Sequence, residues 1–273
     1  MKRIFTLLFL TSLASLALAQ VNCDAYKYMG DTLKYEACKE AEKRAGHYQF
    51  SYEYQHALDN AIEIDSTFSN AYKYKSTAYL KAGNFLEFMK LMDKAVELDP
   101  EQHLIYRGWC RFQFFRDYKG AIQDIELLDS LADYDIGFGQ NGFYHLQTTR
   151  ALCYKKLGQP AKAISILETK LKDPEFFYGP YFNTHLGVLY LDQKSYSKAE
   201  KSLLKQQEEN DLAENRYYLA KVYQAQGRKA EAKENLEVAK EKYVSGMRFI
   251  DPYGPQVDKI YMEDIEKALA NLD

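Results

Sequence analysis

The sequence predicts an all-α protein, a right-handed α-solenoid of about six helix pairs closed by a C-terminal capping helix. Three observations predict it. First, Leu186-Gly187-x-x-Tyr190 followed by Ala199-x-x-x-Leu203 recurs 33 residues later as Leu219-Ala220-x-x-Tyr223 followed by Ala232-x-x-x-Leu236. A fixed period of that size marks a stack of supersecondary units. Second, the small residue of each block and the aromatic three places on share one helical face, where the small side chain lets a neighbouring helix approach. Third, a turn, Gln193-Lys194-Ser195 or Gln226-Gly227-Arg228, separates that aromatic from a second small residue nine places further on. Each block therefore reads as two helices folded back on one another.

The chain opens with a leader. Lys2 and Arg3 precede an apolar stretch, Ile4 to Leu16, and Ala17-Leu18-Ala19 has the form of a signal-peptide cleavage site, so residues 1–19 read as signal peptide. From Ile4 to Ala19 the stretch is shorter than the ~20 residues a spanning helix needs, so no membrane span is expected after cleavage. Cys23 follows Asn22 rather than a small residue, which excludes a lipoprotein leader. Export would let the even number of cysteines, Cys23, Cys38, Cys110 and Cys153, meet an oxidising compartment. Cys23 and Cys38 are close enough in sequence to staple an N-terminal segment, residues 20–34, to the first helix. Cys110 and Cys153 fall on the first helices of adjacent pairs and read as small buried hydrophobes.

Helical repeats are expected over residues 35–243. In the first, divergent copy Ala45 and Tyr54 keep the nine-residue spacing and Gly46 ends a helix. The second copy is Ser76-x-x-Tyr79, Gly83 and Phe88, running to Asp99-Pro100. In the third, Phe112 and Ala121 hold the spacing, but Trp109 stands where a small residue belongs. Either the ring widens the packing there, or the frame slips so that Gly108 fills the slot. Ala151-x-x-Tyr154, Gly158 and Ala163-x-x-x-Leu167 form the fourth copy. The step from Phe112 to Tyr154 is longer than the others, which places an insertion at about residues 131–143. After the sixth copy, Asp251-Pro252-Tyr253-Gly254-Pro255 reads as a compact turn. Val257, Ile260, Tyr261, Ile265, Ala268, Leu269 and Leu272 then follow at helical spacing, as a capping helix within residues 244–273.

These blocks resemble the tetratricopeptide repeat family, whose pattern W-x2-L-G-x2-Y…A-x3-F…P they follow with Leu for Phe and without the Trp. The resemblance implies that the first helix of each pair lines a concave face on which extended peptides or partner helices bind. By the family's frame the groove contacts are Lys73, Thr77 and Lys81; His145, Thr148 and Lys155; Tyr181 and Thr184; and Tyr217, Lys221 and Gln224. Asn70, Lys156, Val188 and Glu214 occupy further frame positions. One subfamily clamps C-terminal carboxylates with Lys and Asn; Lys73 matches the lysine, but Thr77 replaces the Asn, so that ligand is not expected. The implied function is a non-catalytic protein–protein interaction module of the cell envelope, most simply periplasmic, holding an unidentified protein or peptide. The alternative is a structural or self-associating subunit that uses the C-terminal helix or the Trp109 region.

Other classes lack their signatures. A net charge of -3 gives no basic footprint for nucleic acid. Gly137-x-Gly-x-x-Gly142 matches a dinucleotide fingerprint by letter, but a helix rather than a strand is expected before it. Asp133-x-Asp135 begins like a calcium loop and then lacks its third ligand and its glycine, so both carboxylates read as solvated. Among His47, His56, His103, His145 and His185 no metal-binding spacing occurs, and there is no C-x-x-C or G-x-S-x-G. No cofactor, metal or catalytic residue is expected. His185 reads as a helix residue at a surface or interface.

Overall fold

The computed structural model describes residues 22–272, and the signal peptide expected over residues 1–19 lies outside them. The chain divides into two compact units, one ending at Leu98 and one beginning at Asp99. Both are built of helix pairs.

The first unit contains α1 (Cys23–Tyr28), α2 (Thr32–Glu42), α3 (Tyr52–Ile64), α4 (Ser69–Lys81) and α5 (Phe85–Leu98). Short polar side chains start the first three: Asn22, Asp31 and Ser51 accept backbone N–H bonds from Asp24, Lys34 and Tyr54, satisfying donors a helix N-terminus leaves open. A Cys23–Cys38 disulfide, with Cα atoms 5.5 Å apart, ties α1 to α2. Ala37, Cys38 and Ala41 of α2 cluster with Tyr54, Leu58 and Ala61 of α3. Ala45 lies beyond the end of α2, in the turn, so it does not mark this pair as the spacing predicts.

The second unit contains α6 (Pro100–Cys110), α7 (Tyr118–Leu131), α8 (Leu146–Lys156), α9 (Pro160–Lys170), α10 (Phe182–Asp192), α11 (Tyr196–Glu209), α12 (Ala213–Ala225), α13 (Lys229–Val244) and α14 (Met262–Ala270). The second-helix residues that set the nine-residue spacing, Ala121, Ala163, Ala199 and Ala232, are completely buried. The small first-helix residues are equally constrained: a Cβ added at Gly187 would stand 2.6 Å from Leu203 Cγ.

The hairpin turns share one backbone device. Gly83 in the first unit, and Gly158, Lys194 and Gly227 in the second, are left-handed. The N–H groups of Asn84, Gln159, Ser195 and Arg228 reach back to the carbonyls of Tyr79, Tyr154, Tyr190 and Tyr223 at 2.8–2.9 Å, the helix-ending bond of a Schellman motif. The aromatic that marks each block thus also supplies the acceptor that stops its helix. Lys194 does this without glycine, at a cost of about 1–2 kcal/mol for a left-handed side-chain-bearing residue.

In the third pair the frame slips. Gly108 faces the second helix, where an added Cβ would lie 3.2 Å from Asp124 Cβ, so Phe112 arrives one residue late. A π-helical turn, Arg111–Phe115, absorbs the extra residue. Its closing bond is correspondingly longer in sequence, from Asp117 N–H to Arg111 O at 3.0 Å, with Arg116 left-handed. The slip turns Trp109 away from α7 and against Gly139 of the inserted loop.

Between α7 and α8 the chain is non-helical, and α14 starts later than the apolar spacing predicts. Val257 and Ile260 precede it in a non-helical, turn-containing segment that Pro252, Pro255 and a left-handed Asp258 keep out of helix. Ile260, Ile265 and Ala268 join the apolar cluster that contains Leu236 and Ala239 of α13.

Candidate functional site

In the second unit the frame positions lie on the first helices α6, α8, α10 and α12, and this first-helix face is occupied. Residues 245–261, leaving α13, run across it and return before α14. On the outward leg Met247 O accepts from Ala213 N–H at 2.9 Å, and Phe249 N–H donates to Glu214 Oε2 at 2.9 Å. The Phe249 ring lies 4.4 Å from Tyr181 and 5.5 Å from His185, centroid to centroid. Further out, the Asp251 carboxylate accepts from Gln113 Nε2 at 3.2 Å and from Asn141 Nδ2 at 3.1 Å. At the tip, the Tyr253 ring stands edge-on to Trp109 at 5.7 Å and to Phe114 at 6.1 Å, and Pro255 O accepts from Arg116 at 3.2 Å. On the way back, Val257 joins Phe249 in a cluster with Phe112, Tyr144, Leu152 and Tyr181. Asp258 then accepts from Lys155 Nζ at 2.7 Å and His185 Nδ1 at 2.8 Å.

The electrostatics follow from burial. Burial pushes the Asp258 carboxyl up, but the His185 hydrogen bond and the Lys155 charge outweigh it and hold it below the ordinary value. Asp258 is therefore a carboxylate, and His185 Nδ1 carries the proton that it shares with it. Burial lowers His185 itself, against the pull of Asp258. Glu214 and Asp251 are raised, in each case chiefly by burial.

Of the residues expected to line a groove here, Lys155 is engaged by Asp258, while Thr148, Tyr181 and Thr184 are buried. His145 is also buried: it caps α8, with Nδ1 accepting from Gln147 N–H at 3.1 Å and Nε2 on Asp135 at 2.9 Å. Asp135 is thus partnered rather than simply solvated. His185, expected at a surface or interface, is fully enclosed. Tyr217, Lys221 and Gln224 lie on α12 beyond these contacts, with Lys221 Nζ 5.4 Å over the Tyr217 ring; Tyr217 and Lys221 are half-buried and Gln224 is exposed. Trp109, Gln113 and Asn141 lay outside the expected set. With Gly108 in the small-residue slot, Trp109 and Gln113 fall on frame positions, which the slipped register had hidden.

In the first unit, Lys73 and Thr77 are half-buried and Lys81 is exposed. Lys73 Nζ lies 4.9 Å over the Tyr74 ring, and the Thr77 hydroxyl donates to Lys73 O at 3.1 Å.

Among the described residues no three His, Cys, Asp or Glu side chains converge as metal ligands, and no helix is long and apolar enough to cross a membrane. On the outer side, Leu171, Asn183, Leu186, Tyr190 and lysines of α11 line a cleft of about 400 Å³. Two of its lysines are neutralised, Lys198 by Glu168 and Lys205 by Glu209.

Residues 214–244 match the tetratricopeptide repeat family model. Among solved structures the chain is similar to PilW, described as a widely conserved type IV pilus biogenesis factor, at 14% identity over 90% of this chain and 94% of that one, with a TM-score of 0.56. It is also similar to YrrB, described as a TPR protein with an unusual peptide-binding site, at 18% identity over 71% of this chain and 95% of that one (TM-score 0.54). A third is pilF of Pseudomonas aeruginosa, at 16% identity over 81% of this chain and 92% of that one (TM-score 0.54). At these identities the likeness is one of fold. No curated sequence matches the chain significantly.

Proposed function

We propose that the chain is a non-catalytic protein-interaction module, exported by its leader to the periplasm, that holds an extended segment of another protein on the first-helix face of its second unit. The observation that carries this reading is that the face already holds a non-helical stretch of chain. Residues 247–258 lie there through one backbone N–H bond to Glu214, ring contacts to Tyr181, His185 and Trp109, and one ion-paired carboxylate. Those are the interactions by which extended peptides are generally held. The fold shared with a TPR protein described by its peptide-binding site and with a type IV pilus biogenesis factor supports the same reading and the envelope address.

The test is site-specific photo-cross-linking in intact cells from Lys221, beside the occupied face, with Lys201 on α11 as the outer-face control. A partner captured from Lys221 and not from Lys201 supports the assignment. Equal capture from both positions removes it.

A further inference from the structure

We infer that residues 247–258 are a stand-in ligand, and that the face they cover takes a protein segment presenting an aromatic side chain beside a carboxylate. This rests on the reading that the first-helix face of the second unit is a binding surface.

The imidazole of His185 is the pivot. It contacts the Phe249 ring on one side and the Asp258 carboxylate on the other. Nine residues separate the two in sequence, yet they meet at one side chain. A ligand would need only an aromatic group and an anion close together to fill both sockets. The aromatic socket is Tyr144, Tyr181 and His185; the anion socket is Lys155 and His185, and within it the Asp258 side chain is only 8% exposed.

Three features separate this segment from core chain. Beneath it, Tyr144 Oη and His185 Nε2 are buried without a hydrogen-bond partner among the described residues. Each such group costs about 1–3 kcal/mol, and packed interiors normally pair them. A ligand able to bond these two groups suits the face better than the chain now on it. Second, Asp258, which makes both anion contacts, is left-handed with φ 63°, and strain of this kind collects at clamps and switches. Third, the segment leaves α13 through Ser245 and Gly246, both exposed, with Gly246 at φ 83°, a glycine turn at which it can hinge.

A fluorescent peptide of residues 247–261 is titrated into the full chain and into its Phe249→Ala/Asp258→Ala variant. A cis occupant lowers apparent affinity by the fraction of chains in which it is open, so the variant should bind about tenfold more tightly or better. Phe249→Ala or Asp258→Asn in the peptide should remove that gain. Equal affinity for both proteins, or indifference to the peptide's Phe249 and Asp258, overturns the inference. Because the variant chain must stay folded for this comparison, hydrogen exchange on the unaltered chain supplies an independent arm. Amides of residues 249–258 should exchange about 100-fold faster than those of α10 and α12, as expected for a unit that opens alone; equal rates overturn the inference. A partner captured from Lys221 that the peptide fails to displace defeats the inference alone. Peptide binding with no captured partner defeats the functional reading instead.

Discussion

The two units use the same frame and leave it in opposite conditions. In the first, Lys81 is exposed and Lys73 and Thr77 are partly so. In the second, Thr148 and Thr184, at the place of Lys73, are buried and Lys155 is ion-paired, although Tyr217 at that place on α12 is half-buried. Nothing in the helices causes the difference, since both units are hairpins with buried second-helix contacts and left-handed turns. It comes from chain outside the repeats. A repeat frame therefore specifies the direction in which a side chain points, and the flanking segments decide whether anything can reach it.

The largest expected effect separates packed core from covering segment. Phe182 and Phe249 are equally buried at 1% exposure. Phe182→Ala should cost about 3–5 kcal/mol in urea unfolding, as large-to-small core changes do. Phe249→Ala should cost far less, because its loss saturates once residues 247–258 detach. Equal costs would make that segment part of the core and erase the contrast between the two faces.

Next is the staple of the first unit. Its loop of 15 residues predicts a loss of about 3 kcal/mol for Cys23→Ser. Hydrogen exchange should show that loss in α2 and α3 while α10 and α12 are unchanged; a uniform loss would mean that the units unfold together. A smaller effect is expected for Gly187→Ala, whose Cβ must displace Leu203, at about 1–3 kcal/mol, read from the thermal midpoint. The smallest has the opposite sign. Lys194→Gly relieves a left-handed lysine at φ 56° and should stabilise by about 0.5–1 kcal/mol, after the entropy glycine adds to the unfolded chain. A destabilised variant would show that the turn depends on the lysine side chain.

The helix pairs were legible because their signals are local. Tyr190 to Ala199 and Tyr223 to Ala232 fix two helices and the turn between them, and the rule transfers to Tyr79, Tyr154 and their partners. Trp109 was legible as an anomaly with two readings. Choosing Gly108 required the π-turn, a backbone feature that Arg111 to Phe115 do not announce by residue type. The covered face was not legible. Thr148, Thr184 and His185 are polar, and polarity predicts exposure unless a distant segment returns over them. That segment was disguised, because Val257 and Ile260 share a helical period with Ile265 and read as the start of α14. The available signal was Pro252 and Pro255, which bar a helix, together with Phe249, an aromatic with no place in either the repeat or the cap.

The register slip at Gly108 carries an optical consequence. It places the chain's single tryptophan, Trp109, at 3% exposure against the edge of Tyr253, at the tip of the crossing segment. The protein thus contains its own fluorophore under the tip of that segment. Lifting the tip would bring water to the indole and move its emission to longer wavelength, so opening and closing could be timed by stopped flow on the unlabelled, unaltered chain.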